Sequence, residues 1–507
     1  MPAIRTTLAF ASAAFIALGS AAFAQSSTRQ PINVTGYAVT AEVDPTAQRL
    51  TATAQVTFTA VQDITSATFE LNNGLRITKI TGPDGKPLDS DRDARRSTVT
   101  VSLPAQMASG TTATFTFTYA GILKEADTSP VEGIKMAAIA DPVSILLYPG
   151  RWFPMVGLYT DRFTMDLKMT VPDDETVVSS GFVSKKAMQG KKSEYDFLWN
   201  KSGLPGTVVI GKFLPAIKTP EARQVSVYVT EKHKANAAAY AATVAQQQEF
   251  FTQNFGAPES GILQVVEIPD DSVSASWGPE VIAIAGNRIG DKNSHRLLAN
   301  TIAHQWFGSA ISPATLNDAW ITNGMARYGE LMNLEEGSGK TALQTAMLDI
   351  EAGALAYDTQ PLTTLARVDP FSPQFQSMTL EKGAMVFHML RYQLGDDKFL
   401  AFLKNLLSTY RDKPVSTSNL EDMAKLTATS NINLTPFFAQ WLDGTGAPTF
   451  QNKYTVYRLG GGKGFRTVGT VAQDLDLFRM PVDLRIETDG KTETRKIDVS
   501  GTDSAYT

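Results

Sequence analysis

Four histidines and the absence of cysteine limit the chemistry of this 507-residue chain. Without a thiol there is no cysteine nucleophile and no thiolate to hold a metal. The chain contains neither Gly-x-Ser-x-Gly nor Ser-x-x-Lys, and so few histidines do not favour a Ser-His-Asp triad. The most informative histidine is His304, because it opens a distinctive phrase in a predicted helix.

Two phrases at a fixed spacing carry the strongest signal. They read His304-Gln305-Trp306-Phe307-Gly308 and Asn317-Asp318-Ala319-Trp320-Ile321-Thr322-Asn323-Gly324-Met325-Ala326-Arg327-Tyr328. This pattern resembles the M1 metallo-aminopeptidases, whose helix carries H-E-x-x-H before Q-W-F-G and whose next motif is W-L-N-E-G-F-A-x-Y. Shorter tags in the family's order extend the resemblance: Trp152-Phe153-Pro154, Gly211-Lys212-Phe213, Asn254-Phe255-Gly256-Ala257-Pro258, Glu381-Lys382-Gly383-Ala384 and Trp441-Leu442-x-x-x-Gly446-x-Pro448.

The resemblance implies a zinc site, but the residues that it requires are replaced. The family holds zinc with two histidines on one helix face and a more distant glutamate, and a second glutamate acts as general base. The metal positions here are Asn300, His304 and Asn323, and the general-base position is Thr301. An amide oxygen is a poor zinc ligand beside an imidazole or a carboxylate. We therefore expect no zinc and no other cofactor.

No other residue is an obvious replacement. His295 lies nine positions before His304, on the opposite face of the helix. His388 lies in a separate predicted helix, where a packed histidine is the simpler interpretation. Glu280, near Trp277, is the remaining candidate for a rebuilt hydrolase, although a single carboxylate is more often structural.

Two further catalytic positions have also changed. The resemblance places Ala275 where the family has the glutamate that holds the substrate amine, and Leu380 where it has the tyrosine that stabilises the oxyanion. Glutamates kept at positions 301 and 323 without zinc would be buried uncompensated charges. The neutral Thr301 and Asn323 are expected to bond to one another, to His304 or to water.

Other residues of the two phrases are expected to surround a cleft. By resemblance, Asp318 and Glu330 support the former site from outside the ligand shell. Trp277, Trp306 and Trp320 are expected to give the inherited cleft an aromatic edge.

The first 24 residues are predicted to be a signal peptide. Arg5 precedes an apolar run from Leu8 to Ala21, and Ala22-Phe23-Ala24 offers small residues at the cleavage positions. The run is short for a membrane span, and Gln25 follows without a charge cluster, so cleavage after Ala24 is favoured over an uncleaved anchor. We expect an exported protein, periplasmic or extracellular, with no transmembrane segment after cleavage.

Composition and periodicity predict a multidomain α+β chain. Apolar residues make up 43% of the sequence, enough for several domains, and a net charge of -5 gives no footprint for nucleic acid. Period-two patterns predict an all-β, sandwich-like N-terminal domain over 25–215 and a short β domain over 450–507. Helical patterns dominate between them, where the resemblance implies a thermolysin-like domain over 216–449.

The sequence leaves three functional hypotheses open. The leading one is a pseudopeptidase whose cleft binds peptide or protein segments without cutting them. The second is an active metallo-aminopeptidase with a non-standard zinc site. The third is a structural scaffold of an exported assembly that uses the β domains and not the cleft.

Overall fold

The computed structural model describes residues 31–124, 129–157, 160–219, 224–258, 260–430, 432–475, 478–488, 490 and 492–507. The predicted signal peptide lies outside these residues. The first described strands alternate buried and exposed residues, as expected for sheets with one face in a core. They are β1 (Ile32–Asp44), β2 (Arg49–Ala60), β3 (Ile64–Glu70), β4 (Leu75–Thr81), β5 (Ser90–Asp93), β6 (Thr98–Met107), β7 (Thr112–Ile122), β8 (Ala137–Ala138), β9 (Val143–Leu146), β10 (Phe163–Pro172), β11 (Thr176–Ser179), β12 (Phe182–Met188), β13 (Lys192–Gly203) and β14 (Val208–Gly211).

The N-terminal strands form a large sheet with two smaller ones. The large sheet has the order β12-β13-β10-β1-β2-β7-β4, and only the β1–β10 pair in it is parallel. The sheet β3-β6-β5 covers part of one face, where Phe58, Phe69, Phe115 and Phe117 pack edge to face. The third sheet, β11-β14-β9-β8, packs its apolar side chains against the next domain.

A five-stranded mixed sheet begins the middle part of the chain. Its order is β15-β16-β17-β19-β18, with β16, β17 and β19 parallel and β18 antiparallel at one edge. Its strands are β15 (Ile217–Lys218), β16 (Gln224–Tyr228), β17 (Ile262–Ile268), β18 (Ala275–Gly278) and β19 (Val281–Ala285). A two-stranded parallel pair, β20 (Ile311–Pro313) with β21 (Lys413–Val415), lies apart from this sheet.

Helices make up most of the remaining middle part. They are α1 (Lys234–Phe255), α2 (His295–Ala303), α3 (Ala319–Ala356), α4 (Pro373–Gln376), α5 (Gly383–Leu394), α6 (Asp396–Thr409), α7 (Thr417–Thr427) and α8 (Thr435–Leu442). A π-helical turn, Ser377–Lys382, joins α4 to α5. Short 3-10 helices cover Pro149–Arg151, Glu231–His233, Gly286–Arg288, Lys292–Ser294, Leu316–Asp318 and Leu362–Arg367. The long α3 is interrupted at Gly339, whose φ of 81° lies in the region that favours glycine.

Two glycines let α3 and α5 approach closely beside the π-helical turn. A Cβ on Gly324 would lie 2.6 Å from the carbonyl carbon of Gly383, and one on Gly383 would lie 2.9 Å from Gly324 Cα. Glycine at both positions therefore permits backbone contact between the helix that carries Asn323 and the segment that carries Leu380.

The last strands form two small sheets after α8. They are β22 (Phe450–Arg458), β23 (Phe465–Gln473), β24 (Arg479–Glu487), β25 (Thr492–Ser500) and β26 (Asp503–Tyr506), in the orders β22-β23-β26 and β24-β25. Phe478 packs on Trp441 and so joins these sheets to the helical core. The predicted fold class is confirmed, and the exact domain boundaries stay predictions. No helix among the described residues is long and apolar enough to cross a membrane.

Candidate metal centre and cleft

His304 is held in a fixed orientation directly after α2. Its Nδ1 donates a hydrogen bond to the carbonyl oxygen of Phe307 at 2.7 Å, because a carbonyl can only accept, and Nε2 therefore keeps its lone pair. The Trp277 ring stacks on the imidazole, with centroids 4.6 Å apart and planes 9° apart. Burial lowers the pKa of His304 to about 4, against an opposing effect from the Phe307 bond. The imidazole is therefore neutral at pH 7.

This lowered pKa predicts an acid-dependent stability. Between the ordinary value of 6.5 and the folded value of about 4, the unfolded chain binds a proton that the folded chain excludes. The free energy of unfolding should therefore fall by about 3 kcal/mol from pH 7 to pH 4 through this residue. Urea unfolding of the protein and of His304→Gln at both pH values measures the effect. An equal fall in both proteins would contradict the assignment.

The two neutral replacements are committed to separate partners. Thr301 Oγ1 donates to the Leu297 carbonyl oxygen at 2.7 Å, one turn back along α2. Asn323 Nδ2 donates to Thr379 Oγ1 at 3.2 Å, and Thr379 in turn donates to the Phe375 carbonyl oxygen at 2.8 Å. The expected bonding of Thr301 and Asn323 to one another or to His304 is therefore not what the structure has. Thr301 instead donates its hydrogen bond to Leu297, and Asn323 donates to Thr379.

The residues at the metal positions do not fit zinc. Catalytic zinc takes three imidazole, carboxylate or thiolate ligands and a nearby general base. These positions supply one imidazole, from His304, and two amides, from Asn300 and Asn323, and Thr301 has no basic group. Across the described part of the chain, no three His, Asp or Glu side chains are grouped so that they could hold a metal ion.

The other two degenerate positions lie on elements that pack against α2 and α3. Ala275 begins the edge strand β18, which packs on α2. Leu380 is half-buried in the π-helical turn, which packs on α3. The fold thus brings β18, α2, α3 and the π-helical turn together, with an aliphatic side chain at each of the two positions where the resemblance predicts the family's glutamate and tyrosine.

Two of the three tryptophans do not line a cleft. Trp306 is 1% exposed, packs against Phe251 and Phe255, and donates its Nε1 hydrogen to the Gly256 carbonyl oxygen. Trp320 is fully buried and tilted against Phe387. Both indoles belong to the core, because their neighbours are aromatic side chains of α1 and α5. The expected aromatic edge is therefore wrong for these two residues, and Trp277 alone lies against His304.

Asp318 and Glu330 both join elements around the former site. Asp318 accepts hydrogen bonds from the backbone and side chain of Thr315 and, through its other oxygen, from those of Thr417. Glu330 has a fully buried side chain and binds Arg296 at 2.8 Å and Arg327 at 2.7 Å. Burial raises the pKa of Glu330, while the two arginines lower it.

Glu280 lies in the turn between β18 and β19, where both its carboxylate and its amide bond to the protein. Its carboxylate accepts a hydrogen bond from the Gly181 amide, and its own amide donates to Gln305 Oε1. Gln305 Nε2 donates to the Gly278 carbonyl oxygen, so that one side chain holds both ends of the turn. Glu280 also has a φ of 64°, unusual for a residue with a side chain. Sequence reasoning missed this role of Gln305, because the contact joins residues far apart along the chain.

Comparisons with known proteins agree with this fold. Residues 285–441 match the Peptidase family M1 domain. Bovine glutamyl aminopeptidase is 21% identical over 51% of this chain and 30% of its own length. Probable aminopeptidase 1 of Sulfurisphaera tokodaii is 21% identical over 69% of this chain and 46% of its own. The M1 zinc metallopeptidase of Deinococcus radiodurans superposes with a TM-score of 0.67 at 20% identity, over 83% of this chain and 96% of that one.

The fold is that of the M1 zinc metallopeptidases, and the match of residues 285–441 makes the chain M1 peptidase-like. The resemblance read from the sequence is confirmed. The chain spans less than half the length of the two curated relatives.

Proposed function

We propose that this chain is an exported M1 aminopeptidase-like protein that has no peptidase activity and binds peptide segments in the inherited cleft. The observation that carries the proposal is the donor set of one imidazole and two amides at the metal positions, with Asn323 already bonded to Thr379. Thr301, at the general-base position, donates to Leu297 and has no group that could activate water.

Two features support a retained binding role. The strand β18 lies at the edge of its sheet, and its outer side has no partner strand within the described sheet. An extended peptide can pair with such an edge as an additional strand. The half-buried Trp277 offers an aromatic surface next to that edge.

The experiment measures peptidase activity and peptide binding on the same protein. A panel of amino-acid amides should show no turnover above the uncatalysed rate, while a pool of short peptides should bind. Trp277→Ala should weaken that binding by about tenfold, the size of an aromatic contact worth about 1.4 kcal/mol. Tyr457→Ala, an exposed aromatic on β22, is the matched control and should bind as the unaltered protein does. Turnover, or equal binding by both variants, would contradict the proposal.

An active aminopeptidase is the competing function, since the relatives carry aminopeptidase names. A scaffold role has one observation in its favour. Tyr454 and Phe465 of the last sheets are 63% and 70% exposed, which is unusual for aromatic residues away from an interface.

The proposal that the protein is exported rests only on the predicted signal peptide. The mature chain is expected to begin at Gln25, and N-terminal sequencing of protein from the periplasmic and extracellular fractions checks both the cleavage site and the compartment. A chain that keeps Met1 would contradict this part of the proposal.

A further inference from the structure

The hairpin formed by β22 and β23 projects from the last part of the chain. Every residue from 450 to 466 is exposed, so neither face of β22 is buried against the protein. The Leu459 amide donates a hydrogen bond to the Gly464 carbonyl oxygen at 2.9 Å and so closes the loop at the end of the hairpin. A Cβ on any glycine of this loop would meet no atom within 4 Å. The end of the hairpin, residues 457–466, therefore stands in open space, and we call it the hairpin tip.

The charged side chains of this hairpin are all positive. From 450 to 473 the chain contains Lys453, Arg458, Lys463 and Arg466 and neither Asp nor Glu, although the formal net charge of the whole chain is -5. Within the part of the chain that the structure describes, none of the four side chains has an ion pair or a hydrogen bond. Cations that no carboxylate neutralises give the projecting hairpin a positive potential.

Apolar side chains occupy the same tip. Tyr457, Leu459 and Phe465 are 54%, 37% and 70% exposed. The strand register pairs Arg458 with Phe465 and Arg466 with Tyr457, so each face of the hairpin has a guanidinium group beside an aromatic ring. Exposed apolar side chains bordered by cations mark an interaction site. Aromatic rings combined with Lys and Arg are typical of residues at a membrane–water interface.

The β12–β13 hairpin of the N-terminal domain shows what distinguishes the tip. It also has an exposed aromatic residue, Phe182, and two adjacent lysines, Lys185 and Lys186. Its partner strand, however, places Glu194 directly opposite Lys186 and Asp196 opposite Ser184. The positive charge of that hairpin is therefore balanced across the strands, whereas that of the hairpin tip is not.

The size and charge of the tip favour one kind of occupant. A second copy of the chain would bring like charges together, which is unfavourable. A stable protein interface uses about 20–30 residues on each side, more than the ten residues of the tip. A surface of anionic lipids needs no matching shape, attracts Lys and Arg to its phosphates, and accepts apolar side chains beneath them.

We propose that the hairpin tip binds membrane surfaces that contain anionic lipids. Leu459 and Phe465 enter the interfacial layer, and Arg458, Lys463 and Arg466 contact lipid phosphates. This binding is separate from the proposed peptide cleft, because every residue involved lies after the M1 match at 285–441.

The first test is co-sedimentation with lipid vesicles. It uses the mature chain from Gln25, because the apolar leader would itself bind lipid. Vesicles of phosphatidylcholine mixed with phosphatidylglycerol should bind the protein at least about tenfold more tightly than vesicles of phosphatidylcholine alone, and added salt should weaken the binding. Equal binding to the two kinds of vesicle, or binding to neither, would overturn the proposal.

Charge variants connect the binding to the tip. Arg458→Gln combined with Arg466→Gln should weaken binding to the anionic vesicles by about twenty-five-fold, since each cation near such a surface contributes about fivefold. Lys185→Gln combined with Lys186→Gln removes the same charge from the β12–β13 hairpin and is the matched control, which should bind as the unaltered protein does. Thermal unfolding confirms that each variant is folded. Equal losses in the two double variants would contradict a role specific to the tip.

A single introduced thiol tests insertion, because the chain contains no cysteine. Leu459→Cys, labelled with a polarity-sensitive fluorophore, should shift its emission to shorter wavelength on anionic vesicles. Leu348→Cys is the matched control, at a leucine of α3 that is 65% exposed, and should not shift. The absence of a shift at 459 would overturn the proposal. Binding of polyglutamate or single-stranded DNA without vesicle binding would assign the tip to an anionic polymer instead, and self-association without vesicle binding would assign it to a second copy.

Discussion

The triple substitution Asn300→His, Thr301→Glu and Asn323→Glu is expected to give a chain that binds about one zinc ion, whereas we expect the unaltered chain to bind none. The fold already places positions 300 and 304 on one helix face and position 323 on the facing helix. The substitutions supply the second imidazole, the carboxylate ligand and the general base that the site lacks. Elemental analysis after dialysis measures the metal content.

The same variant should depend on zinc for stability. Without the metal, the new carboxylates at the buried position 301 and the half-buried position 323 would be uncompensated, at a cost of several kcal/mol. Zinc at about one hundred times its dissociation constant should recover about 2.7 kcal/mol, seen as a rise in the unfolding midpoint. The control is Asn300→Gln, Thr301→Gln and Asn323→Gln, which adds bulk without ligand charge and should not respond to zinc. A folded triple variant that ignores zinc would show that the surrounding backbone no longer forms a metal site.

The second large effect is expected at the buried ion pair of Asp358 and Lys382. Asp358→Ala should lower the free energy of unfolding by about 3–5 kcal/mol, because it leaves a buried ammonium group unpaired. The two side chains are 5% and 6% exposed and 2.6 Å apart. Asp358 also accepts the Gly446 amide, and Lys382 donates to the Gly444 carbonyl oxygen. The pair thus ties the π-helical turn to the segment after α8.

An exposed ion pair provides the matched control for this prediction. Lys86 and Asp84 are 81% and 56% exposed, so Asp84→Ala should change the free energy of unfolding far less than Asp358→Ala does. Urea denaturation of both variants measures the two effects. Similar losses in the two variants would mean that burial does not determine the contribution of the Asp358–Lys382 pair.

Much of the site was predictable because it depends on local spacing. The interval of four between Asn300 and His304 places both on one helix face whatever the rest of the chain does, and the sequence-predicted fold class is confirmed by the M1 structures. The resemblance also named the positions of Ala275 and Leu380, which the fold brings to elements that pack on α2 and α3.

The unpredicted features depend on contacts between distant segments. Trp306 and Trp320 lie in the motifs that surround the expected cleft, but their rings pack into the core formed with α1 and α5. The spacing of residues near the end of a helix does not show which way a side chain points. The bond from Asn323 to Thr379 joins residues 56 positions apart. Arg296, which binds Glu330, did have a sequence signal. It lies four residues before Asn300 and eight before His304, and so on the same side of α2.

The central claim is that neutral residues stand at the zinc-ligand and general-base positions of an M1 peptidase fold. The most direct measurement is the zinc content of the unaltered protein, purified without chelator and assayed at the same time with amino-acid amides. The account predicts no stoichiometric zinc and no turnover. About one zinc per chain together with turnover would contradict it, because Asn300 or Asn323 would then have to act as a ligand in a catalytic site.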